Sequence, residues 1–396
     1  MPADSFALLV FFFIAAACGW AASRFFSRTR AREPRANINP DYLKGLNYLL
    51  EDNPDKAIEV FVSMMAVDNE TAETHFALGS LFRRRGEVDR AIRIHQNLIA
   101  RPNLGREHRD QALFALAEDY LRAGLLDRAE SLFEKLAGQS SKKTAALEKL
   151  TSIYEQQKDW NQAIAARRKL GGNDENDRII AHYYCELASE SFERRDETGA
   201  RQFLKKAHAG GPWLVRGALM RAAMAARDGD VRTAQRLYRK VIEHDARFLT
   251  EVWVALREVF EPNSSSRGFS TLLDALVRKK PAALSQLAYA AIVHDDLELE
   301  AARTGLLEFL QTNSTLNEAL SAMQVVDADL PPNRDQLERI AGGLRALLRN
   351  RAGYLCAHCG YASESLYWQC PGCRTWDSIR PNTNIPGDRL ALGSGV

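Results

Sequence analysis

The strongest constraint on how this chain folds is a self-similarity with a period of 34 residues. A small residue precedes an aromatic or large apolar residue by three, and an alanine follows the small residue by twelve. Gly45, Tyr48 and Ala57 show it first, and Gly79, Phe82 and Ala91 repeat it 34 residues later. Ala117, Tyr120 and Ala129 come after a four-residue insertion, and Thr151, Tyr154 and Ala163 return to 34. Ala188 with Ala200 and Ala222 with Ala234 follow, while Gly268 and Ala302 continue the alanine position in degraded copies. From about Asn37 to Asn350 no stretch alternates as a strand does. Each copy therefore predicts two antiparallel helices of about 12 to 14 residues, brought close where the small residue meets the alanine. The turns between them carry Gly86-Glu-Val-Asp, Gly124-Leu-Leu-Asp and Gly229-Asp. Glycine suits a helix C-terminus, and aspartate is expected as the next N-cap. Pro54, Pro102, Pro212 and Pro281 fall in turns, where a missing N–H costs little.

These residues and this period resemble the tetratricopeptide repeat, over about 270 residues. The stretch Glu261-Pro-Asn-Ser-Ser-Ser-Arg-Gly268 lengthens or breaks a turn, and the copies beyond it depart from the pattern. Such an array buries one continuous core and curves into a superhelix with an inner groove, which implies binding rather than catalysis. By repeat geometry the groove is lined by Phe76, Ser80 and Arg83, then Phe114, Glu118 and Leu121, then Glu148, Ser152 and Glu155. Phe76 and Phe114 fit the core equally well. No nucleophile–base pairing and no phosphate loop is visible. His75, His95, His108, His182, His208, His244 and His294 are scattered over different copies and read as packing or surface residues. Arg83-Arg84-Arg85 reads as a solvated helix end.

The second constraint lies near the end of the chain. Cys356-Ala-His-Cys359 is followed after ten residues by Cys370-Pro-Gly-Cys373, and the whole chain has only six cysteines. Two C-x2-C knuckles at this spacing present four thiolates to one zinc or iron ion. Two disulfides or four idle thiols are the competing readings. The surrounding residues resemble rubredoxin: Cys359-Gly360-Tyr361 in the first knuckle, Trp368-Gln369-Cys370-Pro371-Gly372-Cys373 in the second. That resemblance implies Cys356, Cys359, Cys370 and Cys373 as the ligands. The loop between the knuckles is far shorter than in free-standing rubredoxins, so the unit is too small to bury its own core. It is expected to lean on the last repeat helices, with Trp368, Trp376 and Ile379 as contacts.

At the other end, Ser5 to Ser23 carries no charge, and as a helix these residues span roughly 28 Å, close to the hydrocarbon thickness of a bilayer. Trp20 is placed as an interfacial anchor. Arg24, Arg28, Arg30, Arg32 and Arg35 follow, against one acid, Glu33. The positive-inside rule then predicts a periplasmic N-terminus and a cytoplasmic body. A cleaved signal peptide is the competing reading, but it calls for a positive n-region where only Asp4 stands. The net charge of +2 argues against a dedicated nucleic-acid binder.

The expected division is 1–26 transmembrane anchor, 27–36 basic juxtamembrane linker, 37–350 helical array, 351–385 rubredoxin-like metal domain and 386–396 tail. The fold class is all-α, a repeat superhelix with a small four-cysteine metal domain. This order of parts resembles the lipopolysaccharide assembly protein B family of Gram-negative bacteria over the whole length. The resemblance implies a non-enzymatic inner-membrane adaptor acting with the membrane protease FtsH on the lipid A deacetylase LpxC. It also implies gathering of lipopolysaccharide-synthesis proteins, and leaves homo-oligomerisation open. A rubredoxin-like electron carrier and a zinc-ribbon nucleic-acid binder are the alternatives from other classes.

Overall fold

The computed structural model describes residues 40–51, 72–209, 213–261, 267–312, 332–349 and 351–383, with a few isolated positions before residue 61. The apolar run 5–23 falls outside them except for Ala16, Gly19 and Trp20, and the anchor expectation with it. Among the described residues no helix is long and apolar enough to cross a membrane. The chain forms two compact units, Met1–Lys142 and Lys143–Val396.

The first unit contains α1 (Pro40–Leu50), α2 (Ala72–Arg85), α3 (Val88–Ile99), α4 (Arg106–Arg122) and α5 (Leu126–Gln139). The second runs from α6 (Lys143–Gln157) through α7 (Trp160–Lys169), α8 (Asp174–Glu193), α9 (Glu197–Ala209) and α10 (Val215–Arg227) to α11 (Val231–His244). It continues with α12 (Leu249–Phe260), α13 (Arg267–Lys279), α14 (Ala283–His294), α15 (Glu300–Thr312) and α16 (Arg334–Leu348). Consecutive helices pack in pairs: α2 on α3, α4 on α5, α6 on α7, α8 on α9, α10 on α11. The periodic residues sit where the period placed them. Ala57, Ala91, Ala129, Ala163, Ala200, Ala234 and Ala302 have no exposed surface. Only a methyl group fits between backbones at that separation.

The turn inside each pair is one motif repeated. At Gly86, Gly124 and Gly229 the backbone is left-handed, with φ of 85°, 76° and 75°. Lys158 and Arg195 adopt the same conformation at the equivalent turns, with φ of 59° and 61°. In every case the following N–H reaches back to a carbonyl five residues earlier, as in Glu87 to Phe82, Leu125 to Tyr120 and Asp159 to Tyr154. This is the Schellman closure. The expected aspartate N-cap needs correction in two turns. Glu87 and Leu125 take the cap positions of α3 and α5 without side-chain hydrogen bonds. Asp89 and Asp127 fall two residues later, in the first turn, where their charge complements the helix dipole. The helix starts directly after the closure, so aspartate caps only where it follows at once. Asp230 does so, accepting from the Thr233 N–H at 3.1 Å.

In the first unit the small-residue position of α2 is filled by Gly79, against the ring of His95. His95 Nδ1 lies 2.5 Å from Asp119 Oδ2, and both side chains are fully buried. Arg83 closes the network, donating to Asp119 Oδ1 at 2.8 Å and Glu118 Oε2 at 2.9 Å. A Cβ at Gly79 would overlap His95 Nε2. Gly79→Ala is therefore expected to push the imidazole off Asp119 and cost about 1–3 kcal/mol, as overpacking does. Thermal melting of the variant beside wild type tests this; an unchanged midpoint contradicts it.

Residues 351–383 form a clip with three short strands, β1 (Tyr354–Cys356), β2 (Ala362–Ser363) and β3 (Ile379–Pro381). They pair antiparallel in the order β2-β1-β3, with Leu355 opposite Ala362 on one side and Arg380 on the other. The clip's own buried core is Cys356, Cys370 and Ile379, with Tyr354, Leu366 and Cys373 against it. That is too little apolar surface to hold the clip together alone.

Candidate metal centre and its docking face

Each knuckle is a tight turn that aims two sulfurs the same way. Gly360 N–H donates to the Cys356 carbonyl at 3.0 Å, and Arg374 N–H to the Cys370 carbonyl at 2.8 Å. Gly360 takes the left-handed conformation after Cys359, and Arg374 takes it after Cys373. The four Sγ atoms all lie within 4.8 Å of one another. Cys356 to Cys373 and Cys359 to Cys370 are both 3.7 Å. A tetrahedron with metal–sulfur bonds of about 2.3 Å has edges near 3.8 Å, so the donor set fits one four-coordinate ion. The same distance is far beyond a disulfide bond of about 2.05 Å.

The sulfurs are also supported from outside the tetrahedron. Ser378 Oγ lies 3.3 Å from Cys356 Sγ, and Thr375 Oγ1 lies 3.3 Å from Cys373 Sγ. The Thr375 side chain and backbone hold the Cys373 thiol down to about 5. Burial works against the Cys356 thiolate, but the hydrogen bond with Ser378 and the backbone N–H groups of Cys359 and His358 outweigh it and lower its pKa. Such donors favour thiolate, the form that binds metal. Cys185 stands apart by position: it is fully buried in the helices, and burial pushes its thiol up to about 12.

The second knuckle carries the side chains that fix the clip to the repeats. Trp376 Nε1 donates to Glu155 Oε1 at 2.9 Å, and Gln369 Nε2 donates to Glu155 Oε2 at 3.0 Å. Glu155 Oε1 also accepts from the Tyr183 hydroxyl at 2.5 Å. The Trp376 ring meets Trp160 and Tyr183 edge-on, at 6.2 and 5.6 Å between centroids. Trp368 stacks on Phe248 at 6.1 Å and 6°, with the Arg216 guanidinium 5.9 Å over its ring. His182 lies between the two indoles, 6.1 Å from Trp368 and 5.1 Å from Trp376. At the clip's edge Tyr354 donates to Glu251, and Arg380 lies 3.9 Å from Asp245. Glu155, His182, Tyr183 and Arg216 all belong to the first helices of their repeats, α6, α8 and α10. Beside the seam, a cleft of about 690 Å³ is lined by Glu148, Ser152, Arg167, Arg178 and Arg374 among others.

Two family models match this architecture. Residues 354–381 match the rubredoxin metal binding domain, and residues 74–109 match the tetratricopeptide repeat. Lipopolysaccharide assembly protein B of Escherichia coli K12 is 32% identical over 378 residues, covering 94% of this chain and 97% of that protein. The protein of the same name from Haemophilus influenzae Rd is 31% identical over 383 residues, 94% of this chain and 96% of its own. The chain belongs to the lipopolysaccharide assembly protein B family.

In this family member the clip braces a different part of the array from the one expected. Its ring and carboxylate contacts run to α6, α7, α8, α10, the turn before α12 and α12 itself rather than to the last helices. The reason is that neither indole belongs to the clip's own core, and those helices supply the aromatic and carboxylate partners that cover them. Leu366 and Trp368 do join the apolar cluster that includes α14 and α16. Ile379, expected at the contact, is buried inside the clip instead.

The nine groove candidates divide between the two units. In the first, Phe76 is buried with Ala72, Leu98 and Ala112, and Ser80 and Leu121 are half-buried. Arg83 is tied to Glu118, and Phe114 packs edge-on against Phe133 at 5.4 Å. In the second, Glu148 is exposed and Ser152 half-buried, and Glu155 is engaged by the family member's own clip. Sequence reasoning missed Trp160, Tyr183, Arg216, Phe248 and Glu251 as the receiving side. His182 and Arg216 stand 34 residues apart, one repeat, and this spacing was the available signal.

The docking is expected to depend on pH through His182. Its side chain is fully buried and neither ring nitrogen has a hydrogen-bond partner. Burial first, then the charges of Arg216, Arg380 and Arg178, hold its pKa well below the usual 6.5. The docked form therefore stays neutral, while an uncovered imidazole takes up a proton below about 6.5. Docking is fully favoured above that pH and weakens as pH falls through it, by about 1.4 kcal/mol per unit. Amide exchange across the clip at pH 7.5 and 5.5 measures this. His182→Phe keeps a ring in place and is expected to remove this part of the pH dependence; a variant with the wild-type dependence contradicts the assignment.

Proposed function

We propose that this protein is a non-enzymatic inner-membrane adaptor in lipopolysaccharide assembly. Family membership across 94% of the chain carries this reading, because the alignment takes in almost the whole length of relatives that bear the name lipopolysaccharide assembly protein B. In this proposal the repeats bind protein partners, and the apolar segment 5–23 holds the body at the cytoplasmic face. Tethering raises the effective concentration of partners in the same membrane. The partners proposed are the protease FtsH, the deacetylase LpxC and other lipopolysaccharide-synthesis proteins. When bound, the zinc or iron ion supplies the folding free energy of the clip. The chain's own residues then do the positioning: Trp368, Gln369 and Trp376 set the clip on α6, α8 and α10.

The reading predicts that depletion lengthens the half-life of the deacetylase, measured after arrest of protein synthesis. Removing residues 1–26 is expected to weaken rescue while leaving the repeats folded. An unchanged half-life on depletion contradicts the protease-adaptor role.

A further inference from the structure

We propose that metal occupancy of the four-cysteine site controls whether one face of the repeats is covered or open. The metal-loaded clip covers the face formed by Glu155, Trp160, His182, Tyr183, Arg216 and Phe248, and loss of the metal uncovers it. The inference stands on the docking geometry and does not depend on which pathway the protein serves.

The docking side chains sit beside the metal ligands. Trp368 and Gln369 immediately precede Cys370, and Trp376 follows Cys373 by three residues. All three belong to one knuckle, whose shape depends on both of its sulfurs being held. The clip's private core is three buried residues, two of them metal ligands. Without the ion it has almost no apolar core of its own, and metal binding supplies most of the folding free energy in sites of this kind. The repeats are built differently. Their cores are their own: Ala181, Cys185, Ala188, Leu204 and Ala207 pack α8 on α9, and a longer apolar cluster along α10 to α16 includes Trp368 only as a half-buried edge residue. Metal loss therefore removes the clip and leaves the helices standing.

The covered face shows the mark of a surface that is also stable when open. His182 is fully buried with both nitrogens unpartnered. An imidazole inside a permanent core is normally given at least one partner, because an unmade buried hydrogen bond costs about 1–3 kcal/mol. Withdrawal of the clip opens both nitrogens to solvent donors and acceptors. Glu155 likewise takes two of its three donors from the clip.

Diethylpyrocarbonate labelling of His182, read by mass spectrometry on the full chain in detergent, tests the gate. In the zinc-loaded protein His182 is expected to be protected. Stripping the metal with a chelator is expected to raise its labelling by at least about tenfold, because the rate follows the open population. Adding zinc back restores protection. Fully buried His95, in the other unit, is the internal control and should stay unlabelled throughout. The double variant Trp368→Ala with Trp376→Ala should expose His182 while still holding one metal per chain. Three results overturn the proposal: His182 protected after the metal is gone, His182 labelled equally in the loaded protein, or His95 labelled in parallel, which would make the metal a brace for the repeats.

Discussion

Replacing Cys356 and Cys370 together by serine is expected to empty the metal site and unfold residues 351–383. One sulfur is lost from each knuckle, so the two that remain cannot close a tetrahedron. Apparent binding free energies of structural zinc sites run to about 10–16 kcal/mol, and in so small a unit that is folding free energy. The Cys356–Cys370–Ile379 core cannot compensate, since two of its three members are the residues replaced. Metal analysis of the purified chain should fall from one atom to none, and amide exchange over 354–381 should approach that of an unfolded peptide. Helices α2 to α5 should exchange as in wild type. Metal retained at one atom per chain contradicts the ligand assignment.

Glu155→Ala is expected to release the clip although Glu155 is not a metal ligand. The carboxylate accepts from Trp376, Gln369 and Tyr183 at 2.9, 3.0 and 2.5 Å. Hydrogen bonds to a charged acceptor contribute roughly 1.5–3 kcal/mol each, and their removal strands the Trp376 N–H inside the interface. Desolvation and the Glu155 carboxylate raise the Tyr183 pKa strongly, so its hydroxyl remains a donor left without an acceptor. Three donors share one carboxylate, so the terms do not add. A net loss of about 3 kcal/mol in docking corresponds to roughly a hundredfold change in equilibrium. The variant should keep its metal yet expose Trp376, seen as a red-shifted indole emission. Glu155→Gln keeps one acceptor oxygen and should fall between. An unshifted emission in Glu155→Ala contradicts the docking account.

The repeats and the metal ligands were legible in the sequence because each rests on local chemistry. A methyl at Ala91, Ala129 or Ala234 is set by the distance between two neighbouring helices, and four thiolates at C-x2-C spacing have few other uses. The turn closures at Gly86, Gly124 and Gly229 followed for the same reason, whereas Lys158 and Arg195 hid the same left-handed turn behind ordinary side chains. What was not legible depends on separation. Glu155 and Trp376 meet across 221 residues, and no local pattern marks the pair. Trp368 and Trp376 could be recognised as needing cover, but the identity of the cover, Phe248 and Arg216 for one and Trp160 and Tyr183 for the other, is fixed only by the fold. Glu155 was placed on the groove by repeat geometry; that its occupant is the chain's own clip could not be read from its spacing.

The most direct test of the account is the half-life of the lipid A deacetylase in cells depleted of this protein and rescued with defined variants. Depletion should stabilise the deacetylase, and wild type should restore rapid turnover. The pair Trp368→Ala with Trp376→Ala, carrying its full metal content, should fail to restore wild-type turnover, because the account ties function to a docked clip and not to metal alone. A half-life that never changes on depletion would contradict the adaptor role, and full rescue by the undocked variant would contradict the part assigned to the clip.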